Sequence, residues 1–370
     1  MLPLDPALLP RTMPPDTTAI RSAKNPIVTP AMVPPSRPDL EVVGVFNPAA
    51  VRHGSEVILL LRVAEAPRDV PAHEVAAPVF DPVSGQLEIM RWLRSAPGVD
   101  TTDPRMTVVD GRTWLTSISH LRVARSRDGI HFDIEPAPAL RAANEYEAFG
   151  VEDARITLID GTYWINYTAV SSYGIATALA STTDFERFER HGVIFPPNNR
   201  DVTIFPATIG GRYVALHRPM PSGLGETAIW FATSPDLRAW GDHRLVAAAR
   251  RGGWEDIKVG GGAVPFRVRH GAQDGWLAIY HGVSGSPHVY SLGALLLDAD
   301  DPARAIARSR EPILRPEAPY ERSGFFGGVV FTCGVVADGD RVRVYYGAAD
   351  GVTAVADLSL AHILAGLGDP

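Results

Sequence analysis

Apolar and polar positions along the chain fall into short runs, alternating or continuously apolar, broken by Asp-Gly, Gly-Gly and proline. RMTVVDGRTWLTSIS, ARITLIDGTYWINYTAV and TIFPATIGGRYVALHRP each place two strand-like runs around a two-residue turn signal, the pattern of a β-hairpin. FNPAAVRHGSEVILLLRV comes before them; GWLAIYHGV after GAQDG and RVRVYYGAAD after VVADGD come after, for six hairpins in all. A second periodicity overlies the first. Ala-x-[Ser/Thr]-x-Asp-x-x-x-aromatic occurs at Ala124/Ser126/Asp128/Phe132, at Ala180/Thr182/Asp184/Phe188 and at Ala232/Ser234/Asp236/Trp240. A repeat of about 50 residues marks four-stranded propeller blades, each needing its neighbours to bury both faces. The chain therefore predicts an all-β, five-bladed β-propeller. The segment from about His73 to Ser119 reads as an inserted hairpin between the first hairpin and its partner strands, although six blades would also fit.

Residues 1–40 are rich in proline and read as an extended arm lying on the propeller or on a neighbouring subunit, or else as a loose tail. Residues 41–370 then form one propeller domain. The closing DLSLAHILAGL fits a strand or a helix equally well.

Composition agrees with this reading and narrows the function. The chain has 370 residues, 45% hydrophobic and 21% charged, enough for a substantial core, and its 34 glycines and 32 prolines favour short strands over long helices. Its net charge of −7, without a basic tract, argues against nucleic acid. No apolar run approaches the length of a membrane span. A single cysteine, Cys333, cannot form an internal disulfide, and the opening MLPLDPALLPRTMPPD lacks the shape of a secretory leader, so a cytoplasmic enzyme is expected. Arginine supplies nearly all positive charge; Lys24 and Lys258 are the only lysines. That contrast draws the eye to Lys258.

Propellers bind ligands at one mouth of the central channel, so polar residues at the ends of these hairpins are the candidates. GVEDAR holds Glu152 and Asp153 side by side. Neighbours in a regular strand point to opposite faces, so one of the two is expected to be structural unless the chain bulges. Arg200 and Arg218 sit at the two ends of one hairpin; with Lys258 in KVGGGAVP and His281 in YHGV they suggest an anion site. The glycines after Lys258 allow close approach of ligand or backbone. One carboxylic acid facing three or four cations is unusual for a glycosidase, which uses two carboxylates about 5–5.5 or 6.5–9.5 Å apart. A phosphorylase needs only the acid, because phosphate held by cations replaces the activated water.

GVEDAR, RDVTIFP, LHRP, KVGGG, YHG and YYGAAD, in this order, closely resemble glycoside hydrolase family 130, the inverting β-mannoside phosphorylases with a five-bladed propeller; the resemblance runs from about Asn47 to Asp350. It implies that Asp153 is the general acid, acting through a hydroxyl of the mannosyl ring. It also implies that Arg200, Arg218, Lys258 and His281 bind phosphate, and that Asn47, Arg62 and Asp350 grip the mannosyl unit. The implied reaction converts a mannose-containing oligosaccharide and inorganic phosphate into α-mannose 1-phosphate and a shortened sugar, and is most like that of the β-1,2-mannobiose and β-1,2-oligomannan branch. No metal or organic cofactor is implied, and His120, His131, His217 and His281 do not form a spaced ligand set. A homo-oligomer stays open.

The sequence departs from the family pattern at two places. Ala154 replaces the usual proline after the acid, while Asp103-Pro104-Arg105 upstream offers a rival acid motif. Ala207-Thr208 stand where charged residues are common. Two other readings remain: an inverting mannosidase with Glu152 or Asp256 as base, and a non-catalytic carbohydrate-binding propeller.

Overall fold

The computed structural model describes residues 19–221, 223–271, 273–285 and 288–370, and its ordered elements are almost all strands. Among the described residues helices are confined to Pro319–Arg322, Leu360–Ala365 and two single 3-10 turns. Among the described residues no helix is long and apolar enough to cross a membrane.

The largest sheet joins two successive antiparallel groups. Leu40–His53, Glu56–Pro67, Ile118–Ser126 and Asp133–Ile134 form one; Gly150–Ile159, Thr162–Ser171, Gly174–Thr182 and Glu189–Phe195 form the other, joined to it by one parallel pairing of Gly150 with Ser119. Asn199–Ile204, Tyr213–Pro219, Ala228–Ser234 and Gly241–Ala248 make a four-stranded sheet. In the next sheet Lys258–Gly261 and Phe266–His270 both pair with Gln273–Val283, followed by Tyr290–Asp298 and Ala305–Ser309. Val330–Asp338, Arg341–Ala348 and Val352–Ser359 make the last, and Ile20–Arg21 from the N-terminal arm adds its fourth strand. The arm's described part thus packs on its own chain; residues 1–18 lie outside the described residues. The C-terminal segment supplies both elements that its pattern allowed, ending strand Val352–Ser359 and forming helix Leu360–Ala365.

Turn chemistry explains the hairpins. Asp160 and Gly161 have φ of 48° and 80°, the two left-handed residues of a type I′ turn, whose twist matches that of the strands it joins. The 50-residue motif has its own local role. In each copy the Ser or Thr hydroxyl and the Asp carboxylate accept backbone N–H bonds in the turn after the third strand, as Ser126 does from Gly129 and Asp128 from Ile130 and His131. Thr182 with Asp184 and Ser234 with Asp236 repeat this cap.

The predicted insertion is present, since Ile118–Ser126 pairs directly with Glu56–Pro67 across it. It is larger than one hairpin. Glu74–Asp81 pairs with Gln86–Leu93, and Val99–Asp100, Met106–Val109 and Arg112–Leu115 form a separate three-stranded sheet. Trp114 bridges them, packing on Trp92 at 5.4 Å and on Phe149 of the repeated fold at 5.9 Å.

Core side chains lie between consecutive groups. One cluster joins Ile58 and Leu60 to Val151 and Ile165, another joins Leu179 to Ile204, and a third joins Phe205 to Trp276. Ile279 and Leu292 pack with Val344 and Ala356, while Val45 and Leu59 pack with Tyr345 and Val355, so the last group also buries apolar surface against the first.

Candidate active site

A cavity of about 1500 Å³ opens where the leading strands of these groups meet, and all eight residues singled out from the sequence line it: Asn47, Arg62, Asp153, Arg200, Arg218, Lys258, His281 and Asp350. Backbone geometry brings them there. The pairing register shifts between Phe46 and Ala49, between Glu152 and Arg155, and between Arg200 and Thr203, the mark of a β-bulge in three leading strands. At each bulge an Asn or Asp takes positive φ: 49° at Asn47, 46° at Asp153 and 56° at Asp201. The bulge breaks the alternation of a regular strand, so Glu152 and Asp153 both line the cavity, and the expectation that one of them is buried structure is corrected.

On the acid side Arg62 is the hub. Its Nη1 donates to Asp153 Oδ1 at 3.0 Å, its Nη2 lies 2.9 Å from Glu152 Oε1, and Asn47 Nδ2 donates to the same Asp153 oxygen at 3.0 Å. Burial raises the Glu152 carboxyl above its ordinary range against the pull of Arg62, and burial pushes Asp350 up to about 6. Ala154 is fully buried, and the Asp153 carbonyl accepts from Arg155 Nη1 at 3.1 Å. An arginine, rather than a proline ring, holds the turn that carries Asp153.

The other side reverses the charge pattern around a carboxylate. Asp201 Oδ2 accepts from Arg218 Nε at 2.6 Å and lies 3.7 Å from His281 Nε2, while its Oδ1 is 3.6 Å from Arg155. Although burial opposes ionisation, Arg218 and Arg155 hold Asp201 well below the usual carboxylate range. Burial, with Arg218 beside it, lowers Lys258 to about 8; its Nζ donates to Tyr290 OH at 2.5 Å. Burial takes His281 down to about 3, so the imidazole is a neutral hydrogen-bonding group, and the cations number three. Its Nδ1 and the Nε of Arg200 are buried without a hydrogen-bond partner. The glycines after Lys258 make this crowding possible. A Cβ on Gly260 would sit 2.4 Å from His281, 2.5 Å from Asp201 and 2.7 Å from Arg218.

The rival acid lies elsewhere. Asp103 is absent from the cavity lining; its hydrogen bonds from Arg105, at 3.0 Å to Nε and 2.7 Å to Nη2, hold it down at about 2. Arg105 itself reaches the cavity, 5.3 Å above the Phe326 ring. Asp256 does not line the cavity either, and Ala207 and Thr208 sit in an exposed turn away from it. Asp201, Arg155 and Tyr290 escaped the sequence reading. A signal for Asp201 existed: like Asn47 and Asp153, it is a short polar residue inside an otherwise apolar strand, where strand preference argues against it.

A sequence profile of glycoside hydrolase family 130, described as beta-1,4-mannooligosaccharide phosphorylase, matches residues 102–367. The chain belongs to this family. A family relative, the beta-1,2-mannobiose phosphorylase of Listeria innocua, is 44% identical over 348 residues, covering 93% of this chain and 97% of the relative. The 1,2-beta-oligomannan phosphorylase of Thermoanaerobacter is 41% identical over 251 residues, covering 66% and 80%. The solved structure of the Listeria innocua enzyme with beta-1,2-mannobiose superposes with a TM-score of 0.90, covering 94% of this chain and 98% of that one. A glycosyl hydrolase from Bacteroides ovatus, 23% identical, shares the fold at a TM-score of 0.70, covering 92% of each chain.

Proposed function

We propose that the chain catalyses inverting phosphorolysis of β-1,2-linked mannosides, mannobiose or oligomannan, giving α-mannose 1-phosphate and a shortened sugar. The observation that carries this reading is the division of one cavity into an acid side around Arg62 and a cationic side around Asp201. Arg200, Arg218 and Lys258 bind and orient phosphate, with His281 as a neutral donor, and Asn47, Arg62 and Asp350 hold the mannosyl unit. A phosphate oxygen bonds to the anomeric carbon as the bond to the leaving oxygen breaks. Asp153 supplies the proton that departs with the shortened sugar, through a hydroxyl of the mannosyl ring. Phosphate is the second substrate, and no metal or organic cofactor takes part.

Asp153 in the cavity argues against a purely sugar-binding role. Hydrolysis is the second reading, favoured by Glu152 beside it as a candidate base. Product analysis on β-1,2-mannobiose with and without phosphate separates the two: the proposal expects α-mannose 1-phosphate and strict phosphate dependence. Release of free mannose at an equal rate without phosphate overturns it.

The same reading extends to architecture. We propose five blades in a closed ring, supported by the five interleaved cores, the last of which joins the ends of the fold. The described part of the 1–40 arm, residues 19–40, lies on a propeller spanning 41–370, and the lone buried thiol of Cys333 suits a cytoplasmic protein. Self-association is left to measurement in solution.

A further inference from the structure

Behind the two arginines, on the side away from the cavity, runs a chain of polar side chains. Arg200 and Arg218 pair directly across neighbouring strands. The residues before them, Asn199 and His217, are nearly fully buried and do not line the cavity. Asn199 Nδ2 lies 3.0 Å from His217 Nδ1, and its Oδ1 lies 3.4 Å away, so the amide ties the two arginine-bearing strands together. His217 Nε2 lies 3.0 Å from Nδ1 of His243, an exposed residue two strands along the same sheet. Phe195 stacks on His217 at 4.8 Å and on Trp240 at 5.4 Å, closing the chain off from its sides.

We infer that Asn199, His217 and His243 form a positioning relay that sets the placement of Arg200 and Arg218 and makes phosphate recognition depend on the protonation of a surface histidine. Distance and proton inventory together make the link. With both rings neutral, the closer approach of Asn199 Nδ2 to His217 Nδ1, 3.0 Å against 3.4 Å for its Oδ1, assigns the amide N–H as donor and leaves His217 Nε2–H to donate to His243 Nδ1. A proton arriving at His243 Nδ1 turns that acceptor into a donor. His217 must then accept at Nε2 and carry its hydrogen on Nδ1, which requires Asn199 to present its oxygen instead of its nitrogen. One protonation at the surface thus breaks or reverses the cross-strand bond behind the arginines. Across from His243 stand His217 from Tyr213–Pro219 and the apolar ring of Phe195 from Glu189–Phe195, 6.4 Å away, while the charged neighbours on its own strand are engaged elsewhere, Asp242 with Thr233 and Arg244 with Asp301. His217 itself stays neutral, because burial and His243 depress its basicity to about 3.

This rests on the phosphate-site assignment above, and the test separates the two. The Michaelis constant for phosphate is measured at saturating mannoside from pH 5 to 8 in the 370-residue parent chain and in His243→Gln and His243→Ala. Phosphate's own ionisation cancels in the comparison at each pH. The rise in this constant from pH 8 to 5 should be about fivefold larger in the parent than in His243→Gln, the size of one neutral hydrogen bond. Superimposable profiles of parent and both variants overturn the relay. Arg218→Ala is run alongside: if it leaves the phosphate constant unchanged at every pH, the phosphate-site assignment itself fails, whereas a rise with superimposable His243 profiles refutes the relay alone.

Discussion

The two sides of the cavity are built from the same backbone device and opposite charge arithmetic. Each uses a bulged leading strand with a left-handed Asp, yet one surrounds Arg62 with Glu152 and Asp153, and the other surrounds Asp201 with Arg155 and Arg218. A buried ion needs a partner, and here the partner's valence is spent unequally. Carboxylates outnumber the arginine on the first side, and burial raises Glu152 and Asp350. Cations outnumber the carboxylate on the second, which leaves positive charge for an anion. The same fold element therefore suits the proposed acid or the proposed anion site according to which sign is in excess.

Removing the proposed proton donor should break the comparison hardest. Asp153→Asn is near-isosteric and keeps an acceptor for Arg62, so turnover should fall by roughly 10²–10⁴-fold with an unchanged melting temperature. Activity retained there and lost in Asp103→Asn would move the acid to the insertion. Asp201→Asn attacks the other hub by leaving Arg155 and Arg218 without their shared counter-ion. It should lower stability by about 3–5 kcal/mol, read by denaturant unfolding, and an unchanged midpoint would show that Asp201 is not the balancing charge.

Smaller effects sharpen the picture. Lys258→Ala removes one charge-assisted contact, worth about 1.5–3 kcal/mol, and should raise the phosphate requirement roughly ten- to a hundredfold while mannoside affinity holds. Lys258 sits at about 8, so its charge is present below that pH and lost above it. Phosphate affinity should weaken above pH 8 in the parent and lack that alkaline limb in Lys258→Ala. Asp350, at about 6, is ionised above that pH and neutral below it, so mannoside affinity should change near pH 6 and the step should vanish in Asp350→Asn. Asp103→Asn closes the series: an ion pair at the edge of the insertion, its loss should alter kcat/KM by no more than about twofold.

Hairpins were readable because their turns demand particular residues; Asp160-Gly161 can hardly do anything else. Lys258 was readable because its neighbours in composition are arginines, and Gly260 because close packing leaves no room for a Cβ. Strand Ile20–Arg21 was not, since two residues carry no periodicity and their partners, Asp357 and Ala356, lie at the far end of the chain. The facing of Glu152 escaped for a different reason: alternation presumes an unbroken strand, and only the Asp at the bulge hints that the strand is broken. Asp201 makes its contacts through tertiary approach of Arg155 and His281, which no local window contains.

The left-handed backbone at Asn47, Asp153 and Asp201 also limits what these positions can become. Only glycine, asparagine and aspartate enter that conformation at little cost. Mutation that preserves the backbone thus has a three-letter vocabulary at each of the three strands: no side chain, an amide, or an acid. Lineages carrying this fold can retune the pocket at these positions mainly by exchanging a carboxylate for its amide, a substitution that keeps shape and alters a single charge. Chemical diversification is steered toward Arg62, Arg200 and Lys258, whose backbones carry no such restriction.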